Sequence, residues 1–132
     1  ILVGAFVSGL DAGNIYQTWP LMGSTYVPDV LILFKLKNLV NFDSHSLVQF
    51  YHRNLAYFIT IYILILSFII FKNKQKDLYK PLLILLIVLL LQIFLGIATL
   101  ISGLNIYLAS GHQICSVLLV FSSINLYYYK IK

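Results

Sequence analysis

The chain alternates long uncharged apolar runs with short polar breaks, at lengths that predict membrane-spanning helices rather than strands. Leu55 to Phe71 contains no charged residue. Extended back to Val48, this run makes about 36 Å of helix at about 1.5 Å per residue, enough to cross a hydrocarbon core of about 30 Å with some tilt. A polar hairpin follows, Lys72-Asn73-Lys74-Gln75-Lys76-Asp77, and Pro81 behind it suits the first turn of a new helix. From Pro81 to Tyr129 no formal charge appears, too long a stretch for one span, and Ser102-Gly103-Leu104-Asn105 supplies the break. The pattern predicts transmembrane helices at 48–71, 82–101 and 107–129. Residues 1–10 read as the end of a truncated helix, because Ile1 already lies inside an apolar run with no initiator Met and no cationic leader. The predicted fold class is all-α: an integral membrane helical bundle forming one domain over 1–132, with three full transmembrane helices plus the tail of a fourth.

Composition removes the soluble alternative. Hydrophobic residues make up 61% of the chain and charged residues 10%, where a soluble domain is about half apolar and about a quarter charged. The mean hydropathy is +0.93. The net charge of +5 does not point to a nucleic-acid partner, because the few basic residues flank apolar runs, where lysine sets membrane orientation. Lys72, Lys74, Lys76 and Lys80, with Lys130 and Lys132, fall on one side of the three spans. The positive-inside rule makes that side cytoplasmic, or the matrix of a mitochondrion. The 11–47 outer loop and the 102–106 turn then face the other way, with Lys35 and Lys37 running against the rule from inside the longer loop. In that loop Tyr16, Trp19 and Tyr26 suit the headgroup zone, and Val30 to Leu39 fits a short interfacial helix as well as an ordinary connection. A single cysteine, Cys115, excludes an internal disulfide and a multi-cysteine metal site; in an apolar span it is expected to be buried and inert.

Candidate chemistry rests on the histidines. His52, in Val48-Gln49-Phe50-Tyr51-His52-Arg53, lies about one turn inside the outer end of its predicted helix. His112, in Leu108-Ala109-Ser110-Gly111-His112-Gln113, does the same on the last helix. Two helices of the same direction thus carry an imidazole to one membrane depth, and ionisable residues within a span are functional candidates. A haem held by one His from each of two facing helices requires this arrangement; zinc and proton relays are the alternatives. No Asp, Glu or second Cys stands near to complete a zinc site. Gly96 and Gly111 would let a flat macrocycle approach the backbone. Arg53 is placed to pair with haem propionates or to snorkel to lipid phosphate. Gln92, in mid-span, requires a partner, either another helix or a cofactor. His45, in Asn41-Phe42-Asp43-Ser44-His45-Ser46, reads as a solvated loop residue.

The string as a whole resembles the heme A synthase family of the mitochondrial and alphaproteobacterial type. The resemblance is carried by Gly4-Ala5-Phe6-Val7-Ser8-Gly9-Leu10-Asp11-Ala12-Gly13, by Tyr16-Gln17-Thr18-Trp19-Pro20-Leu21-Met22 and by Val48 to Arg53. Gln92-Ile93-Phe94-Leu95-Gly96-Ile97-Ala98-Thr99-Leu100 and Leu108 to Gln113 continue it in the same order. It implies half of an eight-helix protein with two-fold pseudosymmetry, the C-terminal half, from the end of the fifth helix to the end of the eighth. It further implies a bound haem b whose iron takes His52 and His112 as axial ligands, with Arg53, Gln49, Gln92 and Gln113 on the cofactor side. Gln49 stands where the other half of the family carries a glutamate, and that other half takes heme O as substrate. Tyr51, Trp19 and Leu21 depart from the family pattern, and none is an implied ligand.

The resemblance implies an oxidoreductase segment embedded in the mitochondrial inner membrane or a bacterial cell membrane. The family oxidises the C8 methyl of heme O to the formyl group of heme A for cytochrome oxidase. Its partners would be membrane lipid, heme O synthase and cytochrome oxidase assembly factors, and this half alone is expected to be inactive. Two other readings fit the residues: a bis-His haem-bearing membrane anchor for electron transfer, as in the small subunits of succinate dehydrogenase, and a cofactor-free assembly factor. The lysine pattern makes a direct prediction. A cysteine placed at Asn73 should react with an impermeant maleimide offered from the cytoplasmic or matrix side of sealed vesicles and not from the outer side; the reverse labelling overturns the topology.

Overall fold

The computed structural model describes residues 1–28 and 43–132. The Val30–Leu39 segment, with Lys35 and Lys37, lies outside them. The described residues form helices α1 (Leu2–Gly9), α2 (His45–Lys72), α3 (Tyr79–Ile101) and α4 (Ile106–Ile131), with 3-10 turns at Ala12–Asn14 and Lys76–Leu78. No strand forms among them, and the only bridge is the tight Met22–Thr25 pair of the outer segment. Three helices are long and apolar enough to cross a membrane, and α1 is the fourth helix. The fold class is therefore that of an all-helical membrane bundle.

Helix ends follow local chemistry. The turn between α3 and α4 passes through two left-handed residues, Gly103 (φ 71) and Leu104 (φ 62). Asn105 then caps α4, its Oδ1 accepting from the Tyr107 and Leu108 amides at 3.0 and 3.4 Å. Between α2 and α3 the chain turns at Lys74 (φ 50) before entering the 3-10 turn. α2 begins at His45, so His45 is the first residue of a helix rather than part of the preceding loop; it remains exposed.

The apolar core cluster lies towards the lysine-rich end. Leu82, Leu85 and Leu89 recur at three- and four-residue intervals on one stripe of α3 and are almost wholly buried. They meet Ile63 and Ile70 of α2, Leu78 of the 3-10 turn and Leu126 of α4 in a single apolar cluster. Ser67 enters the same interior because its hydroxyl donates to the Ile63 carbonyl four residues back, at 2.7 Å. α3 and α4 pack along their length, whereas α2 touches α3 over a shorter stretch and turns its outer end to α1 and the Ala12–Asn14 turn. There Leu47, Val48 and Gln49 are buried beside Ala12 and Met22 of the outer segment.

Leu82 and Leu83 are neighbours with opposite surroundings, 0% and 58% exposed. Leu82→Ala should destabilise the bundle by about 2–5 kcal/mol through the cavity it leaves. Leu83→Ala, on the lipid face, should stay within about 0.5 kcal/mol. Thermal denaturation of the two variants in one detergent checks the pair, and equal melting temperatures overturn the assignment of the core.

Candidate functional site

α2 and α4 run in the same direction because α3 returns the chain between them. His52 and His112 each lie about two turns into their helices, and the fold brings their rings together edge to face. Their ring centroids are 6.4 Å apart and their planes cross at 80°. Both rings lie against glycine. A Cβ on Gly96 of α3 would sit 2.8 Å from His112 Cε1, closer than real side chains come. A Cβ on Gly4 of α1 would sit 3.4 Å from His52 Cε1. Gly111 plays a different part: its open side meets Leu95 at 3.9 Å, where two helices touch.

Gln92 governs the His112 ring through both of its polar ends. Its backbone carbonyl lies 3.1 Å from His112 Nδ1, and a carbonyl only accepts, so Nδ1 carries the proton and donates. Nε2 is then left with a lone pair, the atom a metal would use. The Gln92 side-chain amide lies 3.3 Å from that Nε2 and donates to it, while Gln92 Oε1 is buried without a hydrogen-bond partner. Gln92 thus bonds another helix and sits at the candidate ligand at the same time.

A second polar group closes the outer end. Arg53 donates through Nη1 to the Leu21 carbonyl and through Nη2 to the Tyr16 carbonyl, each at 3.1 Å. Gln49, one turn earlier and 2% exposed, donates its amide to the same Tyr16 carbonyl at 2.8 Å, and its Oε1 is buried and unpaired. The carbonyls are presented by a segment that bonds to itself: Thr18 Oγ1 donates to the Leu21 carbonyl at 2.8 Å and accepts from the Gly23 amide at 2.9 Å. Tyr26 ties its far end to Asn54 at 2.9 Å. Arg53 therefore holds the outer segment onto α2, a use that neither propionate pairing nor snorkelling describes.

The structure brings His52, His112 and Gln92 together and sets Gln49 and Arg53 just above them. Gln113 is exposed. Cys115 is buried, its thiol 3.7 Å from the Val88 carbonyl. Among the described residues no group of three or more His, Cys, Asp or Glu gathers. Two facing imidazoles alone suit an ion whose other positions are filled by a macrocycle, since a protein-only tetrahedral site needs more donors. Sequence reasoning missed Gly4 and the Tyr16 and Leu21 carbonyls. Gly4 is legible only as one small residue in an apolar run, and a backbone acceptor leaves no mark in a sequence.

Comparison with known proteins adds a family. The model of the family COX15-CtaA, described as cytochrome oxidase assembly protein, matches residues 1–124. A protein named heme A synthase from Pelagibacter ubique (strain HTCC1062) is 47% identical over 130 residues, covering 98% of this chain and 38% of that protein. Heme A synthases of Wolbachia pipientis wMel and Rickettsia felis (strain ATCC VR-1525 / URRWXCal2) are 39% and 38% identical. Those matches cover 94% and 91% of this chain, and 34% and 35% of the relatives. The chain thus spans a little over a third of the length of these relatives. No solved structure matches it.

The Arg53 geometry predicts a local effect. Hydrogen bonds from a charged donor contribute about 1.5–3 kcal/mol, so Arg53→Gln should loosen the Tyr16–Gly23 segment while leaving the three spans folded. Arg53→Lys should fall between, because one ammonium cannot reproduce the two-pronged fork. Amide hydrogen exchange at residues 16–23 reads the order, and unchanged exchange in both variants overturns it.

Proposed function

Because the chain belongs to the COX15-CtaA family of cytochrome oxidase assembly proteins, we propose that it is the haem b-binding part of a heme A synthase, with His52 and His112 as axial ligands of one iron. The observation that carries the reading is the 6.4 Å separation of the two rings. Two metal–nitrogen bonds of about 2 Å each, plus about 1.1 Å from nitrogen to ring centre on either side, come to about 6.2 Å. Gly4 and Gly96 support the same reading, since the absence of a Cβ at each lets the imidazole of His52 or His112 seat against the neighbouring helix.

In this proposal the residues have distinct tasks. The Gln92 carbonyl holds the His112 Nδ1 proton, which fixes the tautomer and aims Nε2 at the metal. A haem held there would take His112 Nε2 in place of the Gln92 side-chain amide that lies 3.3 Å from it. Arg53 and Gln49 keep the outer segment closed over the polar end of the site and limit the entry of water. A haem with both axial positions filled supplies one-electron transfer rather than oxygen activation. Oxidation of the C8 methyl of heme O to a formyl group is proposed for the whole enzyme, with heme O bound by residues outside this chain.

The test is spectroscopic. The intact chain, produced in membranes supplied with haem, should show the reduced-minus-oxidised spectrum of low-spin haem b. His52→Ala and His112→Ala should each lose it, because an axial bond is removed. Retention of the wild-type low-spin spectrum by both variants overturns the ligand pair. A protein that carries haem yet does not support heme O to heme A conversion, when the rest of the enzyme is supplied, would instead be an electron-transfer anchor.

A further inference from the structure

The lysine-rich end of the bundle holds a feature that the haem reading does not use. An open cleft of about 450 Å³ is lined by Lys76, Asp77, Lys80, Tyr129 and Lys132. The lining comes from two distant parts of the chain: the 3-10 turn Lys76–Leu78 with the first turn of α3, and the end of α4, which packs against that turn. Beneath it, Leu78, Pro81 and Leu82 are buried, so apolar packing holds the two parts together. None of the three lysines has an ion pair among the described residues, Asp77 included.

Charge is concentrated here. Lys72, Lys74, Lys76, Lys80, Lys130 and Lys132 against Asp77 leave this end five positive charges in excess, equal to the net charge of the whole chain, +5. The other charged residues, Lys35, Lys37 and Arg53 against Asp11, Asp29 and Asp43, cancel. The depth of the cleft is set by its neighbours. It lies where α2 ends, α3 begins and α4 ends, and the exposed rings of Tyr127, Tyr128 and Tyr129 mark the headgroup level. A group of matching chemistry at that depth carries negative charge, accepts several hydrogen bonds and belongs to a molecule whose remainder is apolar.

We propose that this cleft binds the phosphate headgroup of an anionic phospholipid, with Lys76, Lys80 and Lys132 as the cationic contacts and the Tyr129 hydroxyl as a neutral donor. Orientation of the spans needs only the number of positive charges on one side. It does not need three of them gathered around a shared cleft by two separate segments. The remaining lysines, Lys72, Lys74 and Lys130, provide the internal control: equal charge at the same end, outside the cleft lining.

The experiment compares two triple variants of the intact chain in detergent, Lys76→Gln/Lys80→Gln/Lys132→Gln and Lys72→Gln/Lys74→Gln/Lys130→Gln. Phosphatidylglycerol binding is read by native mass spectrometry, with phosphatidylcholine and inorganic phosphate as the other probes. The unmodified chain should retain phosphatidylglycerol in preference to phosphatidylcholine. The cleft variant should bind it on the order of a hundredfold more weakly, from three lysines each near an anionic headgroup. The control variant should lose about tenfold or less. Equal weakening in the two variants reduces the effect to general surface charge and overturns the site, as does binding of phosphatidylcholine as tight as that of phosphatidylglycerol. Displacement of the lipid by inorganic phosphate at comparable concentration overturns the lipid as the source of the phosphate. Retention of low-spin haem by the cleft variant separates this outcome from failure of the haem proposal.

Discussion

Hydrocarbon offers no partner to a polar group, so the amides, carbonyls and hydroxyls of the spans are driven to find one inside the protein, and most of the structure answers to that constraint, with Gln49 Oε1 and Gln92 Oε1 as exceptions. Helices answer it for the backbone. The small hydroxyl residues answer it one at a time: Thr60, Ser67, Thr99, Ser122 and Ser123 each donate to the carbonyl four residues back, at 2.7 or 2.8 Å. The polar side chains that cannot close on their own helix collect at the outer half, where His112 reaches Gln92 and Gln49 and Arg53 reach the outer segment. Apolar packing, needing no such pairing, fills the other half. The division of the bundle into an apolar inner end and a polar outer end is thus one consequence of a single solvent.

The spans and the facing histidines were legible because each leaves a long-range mark. Uncharged runs of spanning length have few other uses, and helices of equal direction carry residues of equal depth to the same level. What stayed hidden was angular or backbone in nature. Gln113 follows His112 by one residue, and one residue turns a helix by about 100°, which swings it away from the pair. Gln92 and Gly96 are four apart and share a face, so one can hold an imidazole while the other makes room for it. Arg53 reads in sequence as a charge awaiting an anion. Its partners are the carbonyls of Tyr16 and Leu21, which any residue would carry. His45 was read as loop because its neighbours are polar, yet the helix begins there, ahead of the apolar run.

The two ends are held together by different interactions. The α3–α4 pair and the Leu82–Leu85–Leu89 stripe give one end a close-packed interior. At the other end α2 is held by hydrogen bonds to an outer segment and by small residues on α1. In the haem proposal a flat group enters beside this hydrogen-bonded outer segment rather than through the apolar cluster, which leaves the close-packed core undisturbed. Gln49 Oε1 and Gln92 Oε1, buried without partners, sit in that outer half.

The turn between α3 and α4 touches the opposite end of the sequence. Leu104 lies so close over Gly13 that a Cβ there would come within 2.7 Å of its Cδ2. A larger residue at 13 would require the Leu104 side chain to move aside. The two residues are about ninety positions apart in the chain. During synthesis Gly13 therefore waits until two further spans have been threaded through the bilayer before the leucine that covers it exists. The outer face can close only then, like a lid fastened from the far side, and until then the segment bearing Tyr16 and Leu21 has only α1 and α2 to rest on.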